Sequence, residues 1–168
     1  MFLLQMAGHP GSGKSALSKK IAKRTGAIVI DRDIIKSSMI NLNIKEDIAA
    51  SVSYDIVFDL AEFYLNMELS VIIDTPCFYE GILKNGISIA DKCGVDYKYI
   101  ECRVEDYSII KNRIQTRDRV VSQIESITEE KFNSVLNTTI KPVDKEMLVL
   151  DTSTENSCDM ELIYEYLM

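Results

Sequence analysis

The segment FLLQMAGHPGSGKS, residues 2–15, decides how the rest of the chain is read. The run Phe2 to Ala7 reads as a buried strand, and a stretch with helical periodicity begins at Lys14. Between them Gly8 to Ser15 spell G-x-x-x-x-G-K-S, a phosphate-binding loop set between strand and helix as its mechanics demand. Glycines let consecutive N–H groups turn inward on anionic oxygens, and the positive end of the following helix adds to that field. Gly11, Ser12, Gly13 and Lys14 are therefore expected to hold nucleotide phosphates. Lys14 would reach the β- and γ-phosphates, and the Ser15 hydroxyl would ligate Mg²⁺.

The chain has 168 residues, 46% of them hydrophobic, enough for one sizeable core and little more. A single domain over 1–168 is expected. No apolar run approaches a membrane span, and the N-terminus lacks a secretory signal, so a cytoplasmic protein without membrane contact is expected. Cys77, Cys93, Cys102 and Cys158 show no C-x-x-C spacing, which suits reduced thiols and no zinc site. The net charge of −7 weighs against broad nucleic-acid binding, although a single strand end held in a cleft stays open.

Strands are expected at Phe2–Ala7, Ala27–Ile30, Val71–Ile73, Tyr97–Cys102 and Met147–Leu150. Helices are expected over 14–25, 32–41, 51–67, 79–93, 105–118, 128–137 and 156–167, with Gly26 and Gly94 as stops and Thr128 at a start. The stretches 41–47 and 138–146 read as surface loops. The alternation predicts an α/β fold, a parallel five-stranded sheet in the order 2-3-1-4-5 with helices on both faces.

No NKxD segment occurs, and Asp74-Thr75-Pro76-Cys77 lacks the glycine of DxxG, which argues against a GTPase. Thr75 follows Asp74 where a motor or remodelling ATPase would carry Glu. Small phosphotransferases remain. The run GHPGSGKSALSKKIAKRTGAIVIDRDIIKSSM, residues 8–39, resembles the opening of the polynucleotide-kinase-like group of small kinases, which includes chloramphenicol phosphotransferase and zeta-toxin kinases. The resemblance continues through VIIDTP, through Arg113, Arg117 and Arg119, and into LVLDTS at 148–153, where it implies a loop passing the adenine ring. It implies that Asp33 acts as base on an acceptor hydroxyl with a basic residue three positions on. Lys36 stands there in place of Arg, and Ile34 in place of a second acid.

On their own chemistry, Asp33 sits where open α/β sheets place ligands and can accept a hydroxyl proton, or it caps a helix; Asp31 reads as the cap. Asp74 ends a strand beside the phosphate loop and suits Mg²⁺ support, or forms a turn. Arg113 and Arg117, four apart, would share a helix face with Arg119 just beyond, forming a lid near 113–127 that closes over the phosphates. The alternative is a solvated basic face paired with Glu105 and Asp106. Arg32 is either a substrate contact or a surface ion pair. His9 reads as an exposed filler, Tyr54, Phe58 and Tyr64 as core, and Asp151-Thr152-Ser153 as a cap for the final helix if not the adenine loop.

Together these imply transfer of the γ-phosphoryl of ATP, with Mg²⁺, to a hydroxyl of a small-molecule or nucleoside-like acceptor. Two alternatives stay open, a polynucleotide 5′-hydroxyl kinase and a nucleotide-dependent regulatory ATPase.

Overall fold

The computed structural model describes residues 1–154 and 159–168. Cys158 and the first residues of the helix expected over 156–167 lie outside the described residues. The order is β1 (Phe2–Ala7), α1 (Lys14–Thr25), β2 (Ile28–Asp31), α2 (Arg32–Asn41), α3 (Glu46–Asn66), β3 (Val71–Asp74), α4 (Glu80–Cys93), β4 (Asp96–Arg103), α5 (Tyr107–Thr116), α6 (Glu129–Val135), β5 (Leu148–Asp151) and α7 (Met160–Leu167). The strands form one sheet in the order β2-β3-β1-β4-β5, every neighbouring pair parallel.

Alternation along β1 sorts the core. Leu3 and Ala7 join Val71, Ile73, Tyr97 and Tyr99 beneath α3 and α4. Phe2, Leu4 and Met6 join Ile72, Ile100 and Cys102 beneath Leu17 and Ile21 of α1 and Ile163 and Leu167 of α7. A satellite cluster of Val104, Ile110, Ile114, Ile127 and Phe132 seats α5 and α6 against the loop after β1. With both faces covered, β1 must be buried along its length, which is why its sequence reads as a continuous run and not as an alternating one.

Helix ends follow local chemistry. Gly26 and Gly94 stop α1 and α4 at φ 75° and 66°, and Thr128 caps α6 by accepting from the Lys131 N–H. Three expectations need correction. α3 begins at Glu46, so much of the stretch expected as the loop 41–47 is already helix or its cap. Its first turn is exposed and acidic, which suits the helix dipole but shows no apolar period. α5 stops at Thr116, and Arg117 has extended angles of φ −72° and ψ 149°. The segment 138–146 is only partly a surface loop. Ile140 N–H donates to the Cys77 carbonyl at 2.8 Å, Tyr99 Oη donates to the Ile140 carbonyl at 2.7 Å, and Lys141 pairs with buried Glu101 at 2.8 Å. Most of that pinning runs through backbone groups, which composition does not reveal.

Gly8 has φ 127°, and a Cβ there would overlap the Cys102 carbonyl oxygen; Gly26 has φ 75° with open space around it. Gly8→Ala should therefore lose about 3 kcal/mol or more, combining strain with overlap, while Gly26→Ala should lose only about 1–2 kcal/mol. Urea denaturation of the two variants checks the contrast, and equal losses would contradict it.

Candidate nucleotide and acceptor site

Leaving β1, the chain turns through Gly11 and Gly13 at φ 81° and 95°, and α1 starts at Lys14. Lys14 Nζ donates back to the carbonyls of Gly8 at 2.9 Å and His9 at 3.1 Å. The Ser12 hydroxyl is buried with no hydrogen-bond partner among the described residues, a group that a phosphate oxygen would satisfy. Burial pushes the Lys14 ammonium down, opposed by the charges of Asp74 and Asp33.

Parallel register brings the ends of β2 and β3 together, pairing Asp31 with Asp74. Asp74 is buried and accepts from Ser18 Oγ at 3.4 Å, with the Ser15 hydroxyl close enough to favour its charged form. Burial raises its carboxyl, and the Lys14 charge pulls it back. Asp31 caps α2, its Oδ1 accepting the Asp33 N–H at 2.9 Å. Burial, with Asp74 and Asp33 nearby, pushes its carboxyl up to about 6. Asp33 is thereby spared the capping role, and its Oδ2 accepts from Gln123 Nε2 at 3.0 Å.

The three arginines have different surroundings. Arg113 donates to the carbonyls of Thr152 at 2.7 Å, Ser153 at 2.9 Å and Gly11 at 3.4 Å, joining the phosphate loop to the loop after β5. Arg117 donates to the Ile124 carbonyl at 3.0 Å, and its Nε is buried without a partner. Burial lowers its guanidinium, opposed by the Asp33 charge. Arg119 is committed to the Gln123 carbonyl and to Glu125 and stands outside the cleft wall. Because α5 ends before Arg117, the shared helix face expected for Arg113 and Arg117 does not form. Glu105 pairs instead with Arg103, and Asp106 caps α5.

A cleft of about 740 Å³ is lined by Gly11, Gly13, Lys14, Ser15, Asp33 and Asp74 together with Arg113 and Arg117. Buried Ser12 lies in the same loop. Ser15 and Asp74 offer hard oxygens to Mg²⁺, whose preference for few protein ligands plus phosphate and water fits such a pair. Among the described residues, no group of three or more His, Cys, Asp or Glu side chains could hold a metal by itself.

Several roles escaped the sequence. His9 is 3% exposed, not a solvent-facing filler: its Nε2 stands 3.0 Å from the Val104 carbonyl and its ring meets Phe132 edge-on. Spacing from Phe132, far along the chain, gave no signal. Arg32 is neither a surface ion pair nor a cleft residue; it is buried over the Tyr54 ring at 3.7 Å and donates to the Ala50 carbonyl. Phe58 is core as expected, and Tyr54 and Tyr64 pack beside it. Thr152 is buried, with Oγ1 donating to the Ser12 carbonyl, while the final helix takes its cap from Asp159. Ser122 and Gln123 reach α2 from the segment after α5, a contact between polar residues that no local motif announces.

A family model described as AAA domain matches residues 3–142. Among solved structures, a candidate kinase from Chloroflexus aurantiacus is similar with a TM-score of 0.76 at 17% identity, covering 98% of this chain and 92% of that one. A sugar kinase from Janibacter sp. gives 0.67 at 16% identity, covering 99% and 93%. A gluconokinase from Sinorhizobium meliloti gives 0.63 at 16% identity, covering 98% and 88%. At such identities the likeness is one of fold, and it extends over the whole sheet.

The chain has one histidine, so its imidazole signal is unambiguous by NMR. Burial holds His9 below the ordinary 6.5 despite the carbonyls of Pro10 and Val104. With the folded value below the unfolded one, its contribution to stability is present above 6.5 and lost as pH falls toward the folded value. A titration midpoint at or above 6.5 in the folded protein would contradict the buried placement.

Proposed function

The chain belongs to the AAA domain family, and from that premise we propose that it is an ATP-dependent phosphotransferase acting on a hydroxyl of a small-molecule acceptor. The observation that carries this reading is the single cleft in which the phosphate loop, Asp74, Asp33 and Arg117 converge. Asp33 lines that cleft with the phosphate loop, where a carboxylate can take the proton of an attacking alcohol, and Asp74 is followed by Thr75 and not by the water-polarising Glu of a remodelling ATPase.

In this reading the inward N–H groups of the loop and Lys14 hold the β- and γ-phosphates, with Lys14 exchanging its carbonyl partners for phosphate oxygens. Ser15 and Asp74 would hold Mg²⁺, which supplies charge neutralisation on the phosphates when bound. Asp33 orients the acceptor hydroxyl and takes its proton as the oxygen attacks the γ-phosphorus. The bond from that phosphorus to the bridging oxygen breaks, and ADP leaves with the electron pair. Arg117, which lines the cleft, offsets charge on the transferring group. Arg113 contributes by fixing the Gly11 carbonyl, and residues 113–127 act as the lid.

The acceptor is read as a small molecule because Lys36, the residue in place to meet a strand's phosphate, is already paired with Glu46 at 3.0 Å and 12% exposed. The neighbours named sugar kinase and gluconokinase agree with a hydroxyl acceptor. Among the described residues no helix is long and apolar enough to cross a membrane.

A panel of hexoses, gluconate, nucleosides and 5′-hydroxyl oligonucleotides offered with Mg·ATP, read by ADP release, tests the reading. A small-molecule hydroxyl should raise turnover, and oligonucleotides should not. Lys14→Ala should abolish that turnover and weaken ATP binding in a folded protein. Asp33→Asn should lower it by about 10² to 10⁴ with melting temperature held, since the cap on α2 is Asp31. Acceptor-dependent turnover that survives Asp33→Asn would remove Asp33 from the chemistry.

A further inference from the structure

One oxygen of the Asp33 carboxylate is held by a residue of its own chain. Gln123 Nε2 lies 3.0 Å from Asp33 Oδ2, and the amide must face it with its N–H₂, because an ionised carboxylate only accepts. This contact is built from both sides. Ser37 Oγ donates to Ser122 Oγ at 2.9 Å, Ser122 Oγ donates to the Asp33 carbonyl at 3.0 Å, and the Ser122 N–H donates to Ser37 Oγ at 3.1 Å. Behind Gln123 the turn is closed by its N–H on the Val120 carbonyl at 3.0 Å, while Arg119 and Arg117 hold the carbonyls of Gln123 and Ile124. Ser122, Gln123 and Asp33 all line the same cleft as the phosphate loop.

The Gln123 N–H occupies the carboxylate oxygen to which an acceptor hydroxyl would donate its O–H. We propose that Gln123 is a positioning residue that caps the Asp33 carboxylate until an acceptor hydroxyl displaces it, so that water is not activated while the acceptor is absent. The proposal rests on the reading of Asp33 as proton acceptor and adds to it a device that discriminates alcohol from water. Water is small enough to enter the cleft, but it carries no binding surface with which to displace an anchored amide. An acceptor brings further contacts along the wall formed by Ile34, Val120 and Ile124, and these offset the loss of the Gln123 bond.

Without the cap, the wasteful reaction balances simply. A water oxygen bonds to the γ-phosphorus, its proton passes to Asp33, the bond from phosphorus to the bridging oxygen breaks, and ADP and phosphate leave. Gln123→Ala should therefore raise ADP release from Mg·ATP alone, with no acceptor present, by about tenfold or more, the scale of one lost hydrogen bond to a charged group. ATP affinity should hold, because Gln123 caps the Asp33 carboxylate and has no part in holding phosphate. Gln123→Met, similar in length but without the N–H, should behave alike and carries the test if the alanine variant does not fold.

The readout that a merely loosened lid would not reproduce is the Asp33→Asn background. There the Gln123 substitutions should change ADP release by less than about twofold, since nothing remains to be capped. If the increase persists at full size in Asp33→Asn, the effect is lid opening and the proposal falls. If Gln123→Met binds Mg·ATP normally by calorimetry and releases ADP at the wild-type rate, the proposal falls while the phosphotransferase reading stands. If the unmodified protein fails to bind Mg·ATP at all, the phosphotransferase reading itself is overturned, and the cap with it.

Discussion

A loop whose N–H groups face an anion must turn its carbonyl groups away, and each carbonyl left in a partly buried place needs a donor. Much of this molecule is arranged to supply them. The Gly8 carbonyl takes Lys14, the His9 carbonyl takes Lys14 and the Ser12 N–H, and the Gly11 carbonyl takes Arg113. The Ser12 carbonyl takes Thr152, and the Gly13 carbonyl takes the first free N–H groups of α1. The Pro10 carbonyl stands 3.2 Å from His9 Nδ1, which competes with Nε2 for the one proton of a neutral ring. Donors therefore come from α1, α5 and the loop after β5, and the shape of the loop depends on the whole C-terminal edge of the sheet being assembled.

That edge also sets the electrostatics. Parallel strands all deliver their C-terminal ends to one side, so Asp31 and Asp74 meet in register while Asp33 starts the helix beside them. Burial raises the carboxyls of Asp31 and Asp74, and the neighbouring carboxylates add to it, so that Asp31 is pushed up to about 6. The local caps divide the work among them. Asp31 is held by a backbone N–H, Asp74 by the Ser18 hydroxyl, and Asp33 by the Gln123 amide from the segment after α5.

The sheet and its order were legible because burial on both faces writes itself as apolar runs, and the phosphate loop fixes where the first run ends. α2 came out with the right bounds because its cap, its first acid and its period agree; α3 lost its first turn because Glu46 and Asp47 bear no core residue. In the cleft, the residues contributed by short-range geometry were legible: Lys14, Ser15, Asp33 and Asp74 each sit within a few residues of a strand end. Arg113 and Arg117 were legible as cleft residues, yet the face they were expected to share rested on a helix that stops at Thr116. His9, Arg32 and Gln123 were not legible, since each is placed by a partner elsewhere in the chain.

Sequence distance explains the unequal legibility of the two halves of the cleft. The phosphate half is written in consecutive residues, because an anion nest is a property of backbone and needs only glycines and a helix start. The acceptor half joins Asp33 to Gln123 and Ser37 to Ser122, pairs 90 and 85 residues apart. Neither serine nor glutamine carries a signature there, as each is an ordinary surface residue until the segment after α5 folds across α2. Contacts of that kind are set by side chains on a short segment outside the sheet, so they can change without disturbing the strands. Fold comparison consequently recognises the donor site and not the acceptor: the first is shared backbone geometry, and the second is a handful of side chains on a short irregular segment.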